Sequence, residues 1–283
     1  MAINLTMKKK VIILTNNEIR HKYFRTRFSS SKNIDVLKSF CEGRNDNGVL
    51  KQYTYDWPDL SDIEEIHFKE RFNTEYDFFS DILNLMPDLS NPAFIEKGEI
   101  NLEENVKEII EINPDLIITY GCSIIKPPLI SAFPNRIINV HLGLSPYYFG
   151  AGTNFHPLVN NEPQFVGYTF MYMDNGIDTG EIIHQKRATV NVFDNPHQIG
   201  NRLIKEMTAD FIKLVEKFYM VKRFMPLNLP KGKTYKKKDA TKESIIKLYK
   251  NFAHGLCENY LRNKTRLIQE FPIIEQSFMK DSL

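Results

Sequence analysis

The sequence predicts an α/β fold with a mostly parallel sheet that helices cover on both faces. Three short apolar segments rich in β-branched residues, at positions 10–15, 115–120 and 136–141, have the length of strands. Stretches with helical spacing of apolar residues separate them, and unbroken apolar strands are typical of a sheet buried on both faces. With 283 residues, of which 42% are hydrophobic, the chain can form one large core and a smaller appendage.

The first half of the chain opens with a strand followed by a helix. A second strand and two more helices are predicted before the next buried strand. The second of the three helices carries aromatic and apolar side chains near helical spacing, so we expect it to pack through that face. In order, these elements are a strand at 10–15, a helix at 18–28, a strand at 33–40, and helices at 60–85 and 103–112.

The second half changes character after the third buried strand. A loop rich in Gly and Pro covers 142–157, and two longer strands are predicted at 164–173 and 181–190. Asn195 and Pro196 then provide the N-cap and first-turn proline of a helix. Its apolar ridge consists of Ile199, Leu203, Met207, Phe211, Leu214 and Phe218.

The last part of the chain is basic. From Val221 onward it has 14 Lys and Arg against 6 Asp and Glu, a net charge of +8, whereas the first 220 residues carry −6. This imbalance fits either an anionic partner or a solvated helix and turn. We predict a linker at 224–232, a short exposed hairpin at 231–239 and a helix at 243–263. Because no RNA-binding signature is present, no nucleic-acid partner is predicted.

The cysteines and the apolar segments bear on the compartment. Cys41, Cys122 and Cys257 are too widely spaced for a metal site, and their odd number argues against a disulfide framework. The basic first ten residues precede an apolar segment too short for a signal peptide, and no segment approaches the ~20 residues of a membrane-spanning helix. We therefore expect a cytoplasmic protein with reduced thiols, no metal and no membrane partner.

A polar constellation stands at the end of the strand at 136–141. Side chains alternate along a strand, so Asn139 and His141 share a face at the carboxyl edge, where open α/β sheets bind ligands. About forty residues later, Asp178 lies in a turn from which a carboxylate can orient or charge an imidazole. Taken alone, Asn-x-His suits a hydrogen-bonded structural histidine as well as a catalytic one.

The order of these motifs is more specific than any one of them. Asn139-x-His141 is followed by a Ser-Pro turn and then by Asp174-Asn175-Gly176-Ile177-Asp178-Thr179-Gly180. This order resembles the formyltransferase family, which includes glycinamide ribonucleotide, methionyl-tRNA and nucleotide-sugar N-formyltransferases. The resemblance covers about residues 115–219, and the preceding part matches only in its order of elements. It implies a Rossmann-like, formyltransferase-type catalytic domain at 1–220, with a hairpin-and-helix appendage at 221–283.

The resemblance also implies the chemistry. The family's catalytic Asn, His and Asp correspond to Asn139, His141 and Asp178, and the one-carbon donor is 10-formyltetrahydrofolate. When an amine attacks the formyl carbon, the Asn139 amide and a protonated His141 would stabilise the oxyanion. Asp178 would accept the proton of the attacking nitrogen or balance its charge. No metal is required.

The folate pocket of the family is formed by two loops. One follows the strand before the Asn-x-His strand, and the other carries the aspartate. Backbone groups there would read the pterin edge while Ile124 and Ile125 cover its face, although plain core packing explains those two residues equally well. The cofactor-binding residues implied are Tyr120, Gly121, Cys122, Ser123, Ile124, Ile125, Asp174 and Gly176.

The acceptor class follows by elimination. The turn at 15–18 lacks the glycine-rich phosphate loop of the purine-pathway members, and about sixty residues after Tyr219 are too few for the C-terminal barrel of the tRNA-specific members. The remaining class acts on a nucleotide-linked amino sugar. A formyl-folate hydrolase, or a transferase for another amine such as methionyl-tRNA, is the alternative.

Acceptor-binding residues are predicted in two places. Arg20, His21 and Arg25 follow the first strand, where cations and a helix N-terminus can receive a phosphate, although surface solvation is an equal explanation. Tyr147, Tyr148 and Asn154 lie on the loop after the catalytic strand and would line the acceptor pocket. Asn154 and His156 suit the cap of a helix near Pro157 equally well. The apolar stripe of the helix at 243–263 must be covered, by the catalytic domain or by a second subunit of a homodimer.

Overall fold

The central feature of the fold is a seven-stranded sheet in a computed structural model that describes residues 8–43, 62–176, 178–224 and 232–280. Its strand order is β3-β2-β1-β4-β5-β7-β8, with parallel pairing from β3 to β5 and antiparallel pairing from β5 to β8. A separate parallel pair joins β6 to β9. The strands are β1 Lys9–Asn16, β2 Ile34–Glu42, β3 Pro92–Ile95, β4 Leu116–Tyr120, β5 Ile137–His141, β6 Tyr148–Gly150, β7 Gly167–Tyr172, β8 Ile182–Arg187 and β9 Lys233–Tyr235.

Helices cover both faces of this sheet. Alternate residues of β1 serve the two sides, so that Val11 and Ile13 join one apolar cluster and Ile12 and Leu14 join the other. The predicted α/β class with a mostly parallel, doubly covered sheet is confirmed. The helices are α1 Ile19–Ser29, α2 Asp62–Leu85, α3 Glu103–Ile112, α4 Pro127–Ala132, α5 His156–Val159, α6 Pro196–Glu216, α7 Lys242–Ala253 and α8 Leu256–Glu270.

The N-terminus of α6 forms as the sequence predicts. Asn195 accepts hydrogen bonds from the backbone N–H groups of His197 and Gln198, at 3.0 and 2.8 Å. Pro196 occupies the first turn, where its missing N–H costs nothing. The apolar ridge is buried against β7 and α1 through residues that include Met207 and Phe211.

The predictions for the basic segment are wrong in two respects. The hairpin expected at 231–239 does not form, because β9 pairs in parallel with β6, far away in the chain, and a 3-10 turn follows it at Lys237–Asp239. The helix expected at 243–263 is two helices, because Gly255 adopts a left-handed conformation with φ of 77° between α7 and α8.

Smaller differences concern element ends. The strand expected at 164–173 begins only at Gly167, since Pro163–Phe165 forms a 3-10 turn, and the short edge strand β3 has no periodic sequence signal. The predictions for Ile177, for 60–61 of the second helix, for 225–231 of the linker and for residues 1–7 concern positions outside the described residues. Among the helices of the described ranges, none has the length and apolar character needed to cross a membrane.

Candidate active site

The site begins where β4 and β5 end side by side. Thr119 and Asn139 are register partners, and the Thr119 hydroxyl donates to Oδ1 of Asn139 at 2.7 Å. A side-chain amide has one acceptor oxygen and one donor nitrogen. Because the oxygen is occupied by Thr119, the Asn139 N–H groups are the end that can serve a ligand. The sequence did not predict this role for Thr119.

Beside this amide, the buried His141 pairs with the partly buried Asp178. Nδ1 of His141 lies 3.2 Å from Oδ2 of Asp178, and the imidazole is 6% exposed. The other ring nitrogen, Nε2, lies 3.2 Å from the backbone carbonyl of Tyr148. The backbone N–H of Gly150 donates to Oδ2 of Asp178 at 3.1 Å. The pair predicted from sequence is therefore assembled, with two backbone groups of β6 as further partners.

Burial and these polar contacts have opposite effects on the pKa of His141. Burial lowers the pKa of His141, while the Asp178 carboxylate and the Tyr148 carbonyl raise this pKa by less. The protonated form of His141 implied by the family resemblance stays a prediction. Both nitrogens face oxygen acceptors, so a proton gained during a reaction would find a hydrogen-bond partner already in place.

A pocket with a volume of about 140 Å³ opens beside Asn139 and Asp178. Its walls include six of the eight predicted folate residues, namely Cys122, Ser123, Ile124, Ile125, Asp174 and Gly176, together with Met171, Tyr172, Met173, Thr179 and Gly180. Ile124 is 69% exposed, which argues against core packing, whereas Ile125 is 4% exposed and packs in the core. The two loops that the sequence assigned to folate thus face one cavity.

The aspartate loop is held by tight internal contacts. Asp174 accepts from the Gly176 N–H and the Thr179 hydroxyl, both at 2.9 Å. A Cβ at Gly176 would lie 1.9 Å from the Thr179 hydroxyl, and one at Gly180 would lie 1.7 Å from the Tyr172 carbonyl. Side chains at either glycine would push the loop out of place, so these glycines set the shape of the pocket wall.

The other pocket loop is anchored by Glu42, a residue the sequence analysis missed. Glu42 is 3% exposed at the end of β2, and its carboxylate accepts from the backbone N–H groups of Gly98 and Ser123. A carboxylate at the carboxyl edge of a sheet was the only feature of the sequence that could have indicated Glu42.

Of the remaining predicted residues, Tyr120 is buried and packs on His21, with ring centroids 4.8 Å apart. Gly121 leaves room for that same imidazole, which a Cβ would approach to 2.5 Å.

The cations after β1 are engaged within the protein. Arg25 is 1% exposed and donates from Nε to Asp88 at 3.1 Å. Arg20 makes a two-pronged contact with Glu75 at 3.0 and 3.1 Å, and also contacts Glu18. A phosphate would have to displace these carboxylates to reach either guanidinium. The assignment of Arg20, His21 and Arg25 to acceptor binding stays a prediction.

The predicted acceptor residues on the loop after β5 also have partners. The Tyr147 hydroxyl donates to the Pro272 carbonyl at 2.6 Å, and Asn154 accepts from the Gly167 N–H at 3.1 Å. Tyr148 is buried and contacts His141 through its backbone rather than its ring. No side chain caps α5, so the alternative role of Asn154 and His156 as caps is wrong. The acceptor roles of Tyr147, Tyr148 and Asn154 stay predictions.

Comparison with known proteins identifies the class to which this fold and site correspond. Residues 80–215 match the family described as formyl transferase. A methionyl-tRNA formyltransferase of Syntrophus aciditrophicus (strain SB) is 35% identical over 127 residues, which cover 44% of this chain and 36% of that protein. The chain spans just over a third of the length of the curated relatives it matches.

Two solved structures share the fold. A 4-N formyltransferase from Francisella tularensis superposes with a TM-score of 0.54 at 21% identity, covering 85% of this chain and 86% of that one. A sugar N-formyltransferase from Shewanella gives 0.52 at 18% identity, covering 85% and 86%. The predicted resemblance to formyltransferases is confirmed.

Proposed function

We propose that this protein transfers the formyl group of 10-formyltetrahydrofolate to a primary amine, with Asn139, His141 and Asp178 as the catalytic residues. The observation that carries the proposal is the shared cavity. The Asn139 amide, the Asp178 carboxylate and the two loops assigned to folate line one pocket of about 140 Å³. A formyl group on a folate held by those loops would be carried next to the catalytic side chains.

The reaction assigns a task to each side chain. The amine nitrogen attacks the formyl carbon, and the carbonyl oxygen becomes an oxyanion that the Asn139 N–H groups stabilise. Both ring nitrogens of His141 face oxygen acceptors, so a protonated imidazole has a hydrogen-bond partner on each side. Asp178, which lines the pocket, accepts the proton of the attacking nitrogen and stabilises the imidazolium of His141. The bond from the formyl carbon to the folate nitrogen then breaks, and that nitrogen leaves with the proton as tetrahydrofolate.

The proposed acceptor is the amino group of a nucleotide-linked amino sugar. The described part of the chain after Met220 forms one short strand, two helices and short 3-10 turns. A sugar N-formyltransferase is among the proteins that share the fold over most of both chains. The match to methionyl-tRNA formyltransferases favours the second candidate, a tRNA-linked amine.

The test is amine-dependent release of tetrahydrofolate by the purified full chain. Reactions contain 10-formyltetrahydrofolate and one acceptor each: nucleotide-linked amino sugars, the same sugars with the amine acetylated, methionyl-tRNA, or none. We expect release only with a free sugar amine. Release without any acceptor would establish the hydrolase instead, and release only with methionyl-tRNA would establish the tRNA enzyme. Absence of release in every reaction would overturn the proposal.

A further inference from the structure

A strand from the C-terminal segment lies against the active site. β9 pairs with β6 in the register Tyr148 to Lys233 and Gly150 to Tyr235. β6 supplies both backbone groups that contact the His141–Asp178 pair: the Tyr148 carbonyl at His141 and the Gly150 N–H at Asp178. The placement of the His141–Asp178 pair therefore depends on how firmly β9 holds β6.

Tyr235 contributes both side-chain and backbone contacts to this attachment. Its ring stacks on His156, with centroids 3.8 Å apart and planes 10° from parallel. Its hydroxyl accepts from Asn160 at 2.8 Å, and the same amide group donates to the Tyr148 hydroxyl at 2.9 Å. Its backbone carbonyl accepts from the Ala151 N–H at 2.9 Å. Tyr235 thus holds β6 and the turn after it through both its side chain and its backbone.

The close approach of these two segments requires glycine at two positions. A Cβ on Gly150 would lie 2.2 Å from the Tyr235 carbonyl, and a Cβ on Gly232 would lie 2.0 Å from the Tyr147 carbonyl. No other residue type fits such a contact without moving the backbone. One glycine in β6 and another just before β9 therefore stand where the two segments come nearest.

We propose that Tyr235 is a positioning residue of the active site, which acts through β6 on His141 and Asp178. The expected effect of Tyr235 on kcat rests on the proposed formyl transfer. Catalytic groups must be held to within about 0.5 Å of their working geometry. A displacement of about 1 Å costs on the order of 10²-fold in rate. Tyr235 does not line the folate pocket, so its loss should affect turnover rather than folate binding.

The test compares Tyr235→Ala and Tyr235→Phe with a control variant, Tyr249→Ala. Tyr249 belongs to the same C-terminal segment but contacts His67 and His197 instead of β6. We expect Tyr235→Ala to lower kcat by roughly 10- to 100-fold while KM for the folate changes less than about twofold. Tyr235→Phe keeps the stacked ring and should recover most of kcat. Tyr249→Ala should leave kcat near the wild-type value at temperatures well below its Tm.

Hydrogen exchange of the Gly150 amide tests the positioning of β6 without an activity measurement. In the ligand-free protein this N–H is bonded to Asp178, and Tyr235→Ala should speed its exchange while Tyr249→Ala does not. If wild-type protein released no tetrahydrofolate, the proposed function would fail and the exchange result would still decide the positioning role. Should Tyr235→Ala not fold, Tyr235→Leu fills the volume without the stack. Unchanged Gly150 exchange, or an equal loss of kcat in Tyr249→Ala, would overturn the proposal.

Discussion

The hydroxyl of Thr119 determines which end of the Asn139 amide faces the pocket. It donates to Oδ1 at 2.7 Å, so that the N–H groups point away from it. Without the hydroxyl, the amide is free to rotate and to present its oxygen, which would repel an oxyanion. The orientation of the catalytic amide is thus a property of two adjacent strands rather than of Asn139 alone.

The first prediction compares Thr119→Val with Thr119→Ser. Valine keeps the shape and loses the hydrogen bond, so we expect kcat to fall about tenfold, the equivalent of one ordinary hydrogen bond. Serine keeps the hydroxyl and should retain most of the activity. Steady-state kinetics at saturating folate measure both variants. Equal kinetics for valine and wild type would show that Asn139 is oriented by something else.

The second prediction concerns the catalytic residues themselves. His141→Ala and Asp178→Asn should each remove most turnover, because each takes away part of the proton and charge control in the transition state. Asn139→Ala should lower kcat on the order of 10²–10³-fold through the loss of an oxyanion donor. Folate affinity, measured by calorimetry, should survive in His141→Ala. Near-normal turnover of purified His141→Ala would contradict the assignment.

Alternation along a strand is local, so the sequence alone placed Asn139 and His141 on one face, while the resemblance to formyltransferases implied their catalytic role and that of Asp178. Asn139 and His141 two positions apart must share a face, and their place at a strand end puts them at the ligand edge. Their partners Thr119, Glu42 and the β6 backbone could not be found in this way. Each depends on strand register or on contacts between distant segments, which no local pattern records.

A single residue, Gly255, decides whether the C-terminal segment forms one helix or two. The apolar spacing continues through 243–263, and periodicity alone therefore predicts a single helix. Gly255 turns the chain with φ of 77°, and Leu256 and Tyr260 of α8 are then buried in the same cluster as Leu248 of α7. A helix-breaking glycine within a periodic stretch was the available signal.

The third prediction is that two Gly→Ala substitutions have opposite effects. Gly255→Ala should destabilise the protein by about 1 kcal/mol, because an L-residue in the left-handed region is strained. Gly200→Ala should stabilise it by roughly 0.5–1 kcal/mol, since Gly200 lies inside α6 and an added Cβ meets nothing within 4 Å. Urea denaturation measures both free energies of unfolding. Effects of the same sign would contradict this account of the break.

Several buried histidines couple the stability of the protein to pH. Burial lowers the pKa of His67 and of His184 to about 4, and that of His197 to about 3. The unfolded chain binds their protons below pH 6.5 and the folded protein does not. Stability is therefore complete above about pH 6.5 and falls as the pH drops toward 4 and 3, by up to ~1.4 kcal/mol per pH unit for each group.

The fourth prediction tests this coupling with a matched pair. His197→Gln removes one buried imidazole, so between pH 6.5 and 4 its unfolding free energy should depend on pH less steeply than that of wild type, by about one proton. His254→Gln changes an exposed histidine and should leave the slope unchanged. Thermal unfolding across this range measures the difference. An unchanged slope in His197→Gln would show that its imidazole is protonated in the folded protein.

The C-terminal segment is joined to the rest of the molecule through the core and through a sheet edge. Leu248, Leu256 and Tyr260 are at most 3% exposed and belong to the cluster that includes α6. The Ile274 carbonyl accepts from the Gln185 backbone N–H of β8 at 2.7 Å, and the Gln185 side chain accepts from the Ile274 N–H. Removing the segment would expose both an apolar surface and unpaired groups of an edge strand.

The fifth prediction is therefore that a chain ending at Phe224 aggregates or binds hydrophobic dyes, whereas a chain ending at Lys280 behaves as wild type. Light scattering and dye fluorescence measure the difference. The +8 charge of the segment would by itself suggest a nucleic-acid surface, but a segment that completes the core has a structural reason to be present. We expect the full chain to bind tRNA weakly, with an affinity that falls steeply as salt rises. A well-folded 1–224 protein, or a tight, structure-selective tRNA complex at physiological salt, would contradict this and favour the methionyl-tRNA acceptor.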